Sequence, residues 1–297
     1  MLASEAMAAS AGEFGILFTE EKPDVIFVLG NRMNMFPAVF ARLPFNIRCI
    51  HLHGGEISLG AIDDRIRHAV SMMSSVHFVA HSKAKDVIVG FGKDETTVHV
   101  VGAPGLDNIK NIPIYPKHTL LYELGVSECK DYFVGTVHSE TNSIDPIKPL
   151  LETIKAVKRF DRCEVIFTHS NSDPCNSVIN DILLEASHDI SHFHFFPSLR
   201  YEQYVNLMQH AVAVIGNSSS GLIEAPFLRK RILNIGDRQK GRVADIHVFH
   251  SQNKALNISS ELELLFSIRH DNTLTQSLLY GDGSASVEIV SILDTIL

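Results

Sequence analysis

Apolar residues in this chain come in short β-branched runs separated by amphipathic stretches. PDVIFVLG at 23–30 predicts a first strand ending in a glycine turn, and residues 47–51, 76–79 and 99–102 predict three more. Residues 1–20 read as an Ala-rich helix with apolar positions at Leu2, Met7, Phe14, Leu17 and Phe18, and residues 33–41, 63–74 and 82–90 as further helices. The second half repeats the pattern, with strands at 133–136, 164–168, 193–195, 212–215 and 232–235 and terminal helices at 259–267 and 284–296. Alternation of this kind is the signature of doubly wound α/β architecture. Residues 103–130, with Pro104, Pro113 and Pro116, read as a linker between lobes. The expected organisation is a first lobe over 1–115, a second over 116–275 and a last helix over 276–297 packing back on the first.

A chain of 297 residues is long enough for two such lobes. Its net charge of -8 gives no broad attraction to nucleic acid or anionic membranes, so any phosphate site must be local. No stretch is long and apolar enough to span a bilayer and the first residues lack a signal-peptide pattern, which gives a cytoplasmic expectation. The four cysteines have no zinc-like spacing. His51-Leu-His53 is the one place that invites a metal, because alternate strand residues share a face, but no supporting ligand set accompanies it and no metal is expected.

The stretch VAVIGNSSSGLIEAP at 212–226 organises the candidate chemistry. A buried strand runs into a polar turn and a helix, with Asn217 and Ser218 as N-cap candidates, so backbone N–H groups and the positive helix end would face an anion. Ser218, Ser219 and Ser220 add donors, and Glu224 is placed to accept from a ribose diol. By itself the stretch fits an ordinary capped helix with a solvated Glu224 equally well. The loop GDRQKGR at 236–242 gathers Arg238, Lys240 and Arg242, which could neutralise a pyrophosphate or form a solvated basic turn. Other polar groups expected at strand carboxyl ends are Asn31, Arg32, His51, His53, Glu56, His138, Asn171 and Asp173.

GNSSSGLIEAP followed by NIGDRQKGR, with HLHGGEISLGAIDDRIRHA at 51–69, GTVHSETN around His138, SNSD at 170–173 and YGDGSA at 280–285, resembles the hydrolysing UDP-N-acetylglucosamine 2-epimerases of bacterial sialic-acid and legionaminic-acid synthesis. The resemblance runs in order over nearly the whole chain. It implies two Rossmann-like lobes of the GT-B type with the nucleotide sugar in the cleft between them, and a homodimer. The implied reaction removes the C2 proton, expels UDP to give a 2-acetamidoglucal and adds water to yield the free 2-epimer, with no redox cofactor and no catalytic metal. His138, Ser218, Ser219, Ser220, Glu224, Arg238 and Arg242 would contact UDP, with Arg32 and Asn171 as further candidates. His53, Glu56, Asp63 and Asp64 would approach the sugar, with His138 also counted among the catalytic candidates, and Arg67 would pair with Asp63 or reach the sugar.

Two departures stand out. Asn31 occupies the position of a carboxylate regarded as catalytic in the family, and an amide is neither acid nor base at neutral pH. The family also has strands and a Ser-Arg-Ala loop ahead of the helix that opens this chain, so the first lobe is expected to be incomplete, with an exposed parallel edge. The alternatives are therefore an inactive nucleotide-sugar-binding relative and, on weaker grounds, a glycosyltransferase of the same architecture.

Overall fold

The computed structural model describes residues 3–30, 33–128, 130–170, 175–271 and 273–296. Its strands are β1 Val25–Leu29, β2 Arg48–Leu52, β3 Val76–Val79, β4 Val98–Val100, β5 Tyr132–Thr136, β6 Glu164–Thr168, β7 Phe193–Phe196, β8 Ala213–Gly216, β9 Arg231–Ile235 and β10 Val248–Ser251. The helices are α1 Ala3–Glu21, α2 Phe36–Ala41, α3 Asp63–Met73, α4 Ser82–Gly90, α5 Gly105–Lys110, α6 Lys117–Glu123, α7 Lys148–Lys158, α8 Asn176–Asp189, α9 Tyr201–His210, α10 Ser219–Phe227, α11 Ala255–Ser267 and α12 Ala285–Ile296. The chain divides into two compact units, one of residues 1–58, 62–107 and 279–297, the other of 59–61 and 108–278.

In the first unit four parallel strands lie in the order β1-β2-β3-β4. Side chains alternate across such a sheet, so Ile50, Val76 and Phe78 pack with Ile289, Ile292 and Leu293 of α12 on one face. Val28 and Cys49 pack with Val39 of α2 and Val70 of α3 on the other. Both faces are therefore buried, as parallel sheets require. β1 is an edge strand, with Phe27 and Leu29 exposed on it.

The second unit holds six parallel strands in the order β10-β9-β8-β5-β6-β7. This is the doubly wound Rossmann order, and its direction of winding reverses between β5 and β8. Phe133, Val165, Phe167, Ala213, Ile215 and Leu233 form one core face with α7, α8 and α11. The opposite face takes α9, whose Leu207 carbonyl accepts from the buried Tyr132 hydroxyl at 2.9 Å. α10 lies on that face too, where Gly221 lets the helix approach Ile232 and Val214.

Several expected boundaries move. The region read as a linker, 103–130, contains α5 and α6, because Pro104 precedes one helix and Pro116 is the N-cap of the other; proline is tolerated at a helix start. The unit boundary falls within α5 rather than at 115. α11 begins at Ala255, four positions before the Ser259 read as its start. The short edge strand β10 escaped sequence reading, having only Val248 and Phe249 as an apolar signal.

His51 and His77 are fully buried on adjacent strands. Burial pushes His51 down to about 4 and His77 down to about 3. The unfolded chain takes up these protons near the ordinary histidine value, so stability is complete above about pH 6.5 and declines as pH falls toward 4, by roughly 2 kcal/mol per ring down to pH 5. His77 makes no hydrogen bond through either ring nitrogen among the described residues, so His77→Phe should leave the urea midpoint at pH 7 little changed. The drop in midpoint between pH 7 and pH 5 should shrink in that variant; equal drops would show that His77 does not contribute.

Candidate functional site

The winding reversal in the second unit places the ends of β5 and β8 side by side, and their backbones approach closely. A Cβ on Gly135 would lie 2.6 Å from the Ile215 carbonyl oxygen, and one on Gly216, where φ is 129°, would lie 2.1 Å from that of Thr136. Asn217 follows and is fully buried. Its Oδ1 accepts from the His138 N–H at 2.7 Å and its Nδ2 donates to the His138 carbonyl at 2.9 Å. Its own carbonyl accepts from Gln239 Nε2 at 2.9 Å and Arg238 Nη1 at 3.4 Å. Asn217 thus ties its own loop to the loop after β5 through its side-chain amide and to the loop after β9 through its backbone carbonyl. This corrects its reading as a cap: the N-cap of α10 is Ser218, which makes no side-chain capping bond. Ser218 Oγ instead accepts from Ser220 Oγ at 3.1 Å, and Ser220 pairs with the Tyr204 hydroxyl at 3.2 Å.

A cavity of about 440 Å³ opens beside this cluster. Thr136, His138, Thr168, His169, Ser198, Ser218 and Ser220 give it polar groups, while Phe196, Pro197, Leu199, Tyr201 and Tyr204 supply apolar and aromatic surface. His138 is buried and held by Ser170 Oγ, 3.1 Å from Nδ1. Ser219 lies in the first turn of α10, partly exposed. Glu224 on α10 is partly buried, and desolvation pushes its carboxyl up to about 7. The Tyr201 phenol is raised by burial and then by the Glu224 charge, which puts the two groups in one electrostatic neighbourhood. Aromatic surface together with several hydroxyls suits a nucleoside carrying phosphates. Thr136, Thr168, Phe196, Tyr201 and Tyr204 are not among the residues expected from sequence; for Thr136 and Thr168 the available signal is their place at the carboxyl ends of β5 and β6.

The basic loop after β9 is positioned by another buried carboxylate that sequence reading passed over. Glu140 Oε1 accepts from the backbone N–H of Asp237 at 2.6 Å and Arg238 at 3.1 Å, and Oε2 accepts from Asn253 Nδ2 at 3.3 Å. Arg238 is buried and Arg242 partly so, whereas Lys240 is exposed. Leu59–Ala61 joins the second unit at this loop, where the Leu59 N–H donates to the Lys240 carbonyl at 3.0 Å.

In the first unit the HLHGGE segment turns sharply after β2. His51 Nε2 lies 2.8 Å from the Gly30 carbonyl and Nδ1 3.0 Å from Ser71 Oγ, so both ring nitrogens are engaged. His53 has φ 63° and follows the end of β2, outside the alternation that would put it on one face with His51. Among the described residues no group of three or more His, Cys, Asp or Glu is arranged to hold a metal. Gly55, with φ 76°, passes so close to α4 that a Cβ would lie 2.2 Å from the Ala84 carbonyl oxygen. This brings Glu56 into the interior, where Oε1 lies 3.0 Å from His81 Nε2. Asp63 opens α3, partly buried, and Asp64 Oδ1 accepts from the Ser58 N–H at 2.5 Å. Arg67 donates to the Glu56 carbonyl at 2.6 Å and forms an ion pair with Asp64 at 3.5 Å. One buried guanidinium thereby ties the Glu56–Ser58 segment to the start of α3. Asn31, Arg32, Asn171 and Asp173 lie outside the described residues.

The family model for UDP-N-acetylglucosamine 2-epimerase matches residues 3–294. The chain belongs to this family. Among curated members it is 36% identical over 253 residues to the GDP/UDP-N,N'-diacetylbacillosamine 2-epimerase (hydrolyzing) of Campylobacter jejuni, covering 84% of this chain and 65% of that protein. It is 30% identical over 283 residues to the UDP-N,N'-diacetylbacillosamine 2-epimerase (hydrolyzing) of Legionella pneumophila, covering 95% of this chain and 74% of that one. The chain thus spans roughly two thirds to three quarters of these relatives' lengths. Among solved structures, the Neisseria meningitidis UDP-GlcNAc 2-epimerase bound to UDP-GlcNAc superposes with a TM-score of 0.83 at 19% identity, over 99% of this chain and 82% of that one. The two-sheet α/β fold of the epimerase family is therefore the fold of this chain.

Within this family member, Asn217→Ala should be among the most disruptive surface-remote substitutions. It strips partners from buried backbone groups of residue 138, and a loss of about 2–4 kcal/mol in urea unfolding is expected. A loss below about 0.5 kcal/mol would mean that water or a shifted loop replaces the clamp.

Proposed function

We propose that the chain is a hydrolysing UDP-sugar 2-epimerase, acting on UDP-N-acetylglucosamine or a 2,4-diacetamido analogue. The observation that carries this reading is the cavity at the β5/β8 reversal, lined by serine hydroxyls and His138, with Glu224 nearby. In this reading His138, Ser218, Ser219, Ser220, Arg238 and Arg242 hold the diphosphate, Glu224 accepts from the ribose diol, and Arg32 and Asn171 assist. The relatives named as diacetylbacillosamine epimerases favour the analogue bearing a second acetamido group.

The chemistry needs two contributions. A weakly acidic C2 proton requires a positioned base, and departing UDP requires preorganised positive charge and hydrogen-bond donors. The second unit supplies the donors. Glu56, Asp63, Asp64 and His53 of the first unit, with His138, are the groups proposed to move protons as UDP leaves and water adds to the glycal. No redox cofactor or metal enters this reading. A cytoplasmic homodimer is the proposed form, which sedimentation would check.

Asn31 supports a second reading, a nucleotide-sugar binder without turnover, because an amide stands where the family resemblance places a carboxylate. Asn31→Asp is expected to raise UDP release from either sugar nucleotide at least tenfold in a coupled assay. UDP binding with no release from either variant would leave the binder, and no binding at all would reject both.

Glu224 gives a pH test of the nucleotide site. Both of its oxygens are free to accept, one from each hydroxyl of a diol, only when the carboxyl is ionised, so affinity should be highest above pH 7 and fall up to about tenfold per pH unit below it. Uridine, which has no titrating phosphate, is the suitable probe by calorimetry. Glu224→Gln should flatten the profile; an unchanged profile would remove Glu224 from the ribose site.

A further inference from the structure

His81 opens α4 as its N-cap, with Nδ1 accepting from the Ala84 N–H at 3.1 Å. A ring nitrogen that accepts carries no proton, so the neutral imidazole must be protonated at Nε2. That nitrogen lies 3.0 Å from Glu56 Oε1, and the two side chains are 6% and 1% exposed. The pair is within ion-pair distance without meeting hydrogen-bond geometry, as is common for catalytic contacts before substrate binds.

The YGDGSA segment stands behind this pair. The Tyr280 ring meets the His81 ring edge-on, with centroids 5.2 Å apart. The Tyr280 carbonyl accepts from the Ala103 N–H at 2.7 Å, and Asp107 accepts from the Ala285 and Ser286 N–H groups at 3.0 and 2.6 Å. Gly281 and Gly102, with φ 100° and 88°, allow the segment to lie against the chain after β4; a Cβ on Gly281 would be 2.9 Å from the Gly102 Cα. The segment is thereby fixed to the first unit, and its ring limits the movement of His81.

We infer that His81 is a positioning residue for Glu56, donating from Nε2 to hold that carboxylate ionised and oriented, with Tyr280 as its buttress. The inference rests on the proposed role of Glu56 in proton transfer. Among the described residues, Arg67 donates to the Glu56 carbonyl and shares its guanidinium with Asp64. Neither supplies the contact that His81 makes with Oε1.

The two ends of the imidazole can be separated by substitution in the full chain. His81→Asn keeps an oxygen at the cap position, where asparagine is favoured, but is too short to meet Glu56. His81→Gln reaches Glu56 and loses the cap geometry. The melting temperature of His81→Asn should stay close to that of the unsubstituted protein, while kcat falls about tenfold or more with KM little changed, since positioned acid–base groups contribute roughly 10²–10⁴-fold. The Glu56 titration, followed by carboxyl ¹³C NMR and assigned with Glu56→Gln, should move up by about one pH unit. His81→Gln should recover part of the rate with a lower melting temperature.

The ¹⁵N spectrum of the unsubstituted protein should show His81 as the Nε2-protonated neutral tautomer. An Nδ1-protonated ring, or a Glu56 titration unmoved in His81→Asn, overturns the inference. These two readouts do not need turnover. If neither the unsubstituted protein nor Asn31→Asp releases UDP, the epimerase reading falls while the spectra still decide the role of His81.

Discussion

Asn217 sits where three loops of the second sheet converge, and the arrangement of the cavity beside the winding reversal depends on it. Its side-chain oxygen and nitrogen bond the N–H and carbonyl of one residue, His138, and its backbone carbonyl takes donors from the loop after β9. In a dry interior each of these groups would cost roughly 1–3 kcal/mol if left unpaired. The loops therefore share one arrangement instead of moving independently. The clamp is possible because glycines at 135 and 216 let β5 and β8 run close enough for a side chain as short as asparagine to bridge them.

Glu140 extends the same logic to the basic loop. A carboxylate accepting successive backbone N–H groups fixes where Arg238 begins without consuming its guanidinium. Buried polar residues here position other residues, and the cavity is lined by hydroxyls, the two histidines His138 and His169, aromatic rings, Pro197 and Leu199. This division suits the proposed role of holding a diphosphate firmly and then stabilising it as a leaving group.

The first unit is organised around burial of ionisable groups. His51 and His77 are kept neutral by desolvation, while Arg67 is kept buried by three acceptors: the Glu56 carbonyl, Ser58 Oγ and Asp64. The HGGE turn can enter the interior only because Gly55 adopts a conformation and a proximity to α4 that exclude a side chain. Glu56 is thus delivered to His81 by the backbone, and the proton chemistry proposed for it depends on that delivery.

The alternation of β-branched runs with amphipathic stretches was enough to establish the α/β class and most strand positions, because burial on both sheet faces demands continuous apolar runs. The ordered motifs were enough to identify the family. Linear sequence left Asn217 looking like a cap and Glu140 like loop filler, since each is defined by groups distant in the chain. Prolines 104 and 116 looked like linker signals because helix starts and irregular turns both tolerate a residue without an N–H. The aromatic wall of Phe196, Tyr201 and Tyr204 had no local pattern at all. Only the strand order, which places the winding reversal beside β5 and β8, decided that these side chains surround one cavity, because a local pattern carries no information about which strands become neighbours.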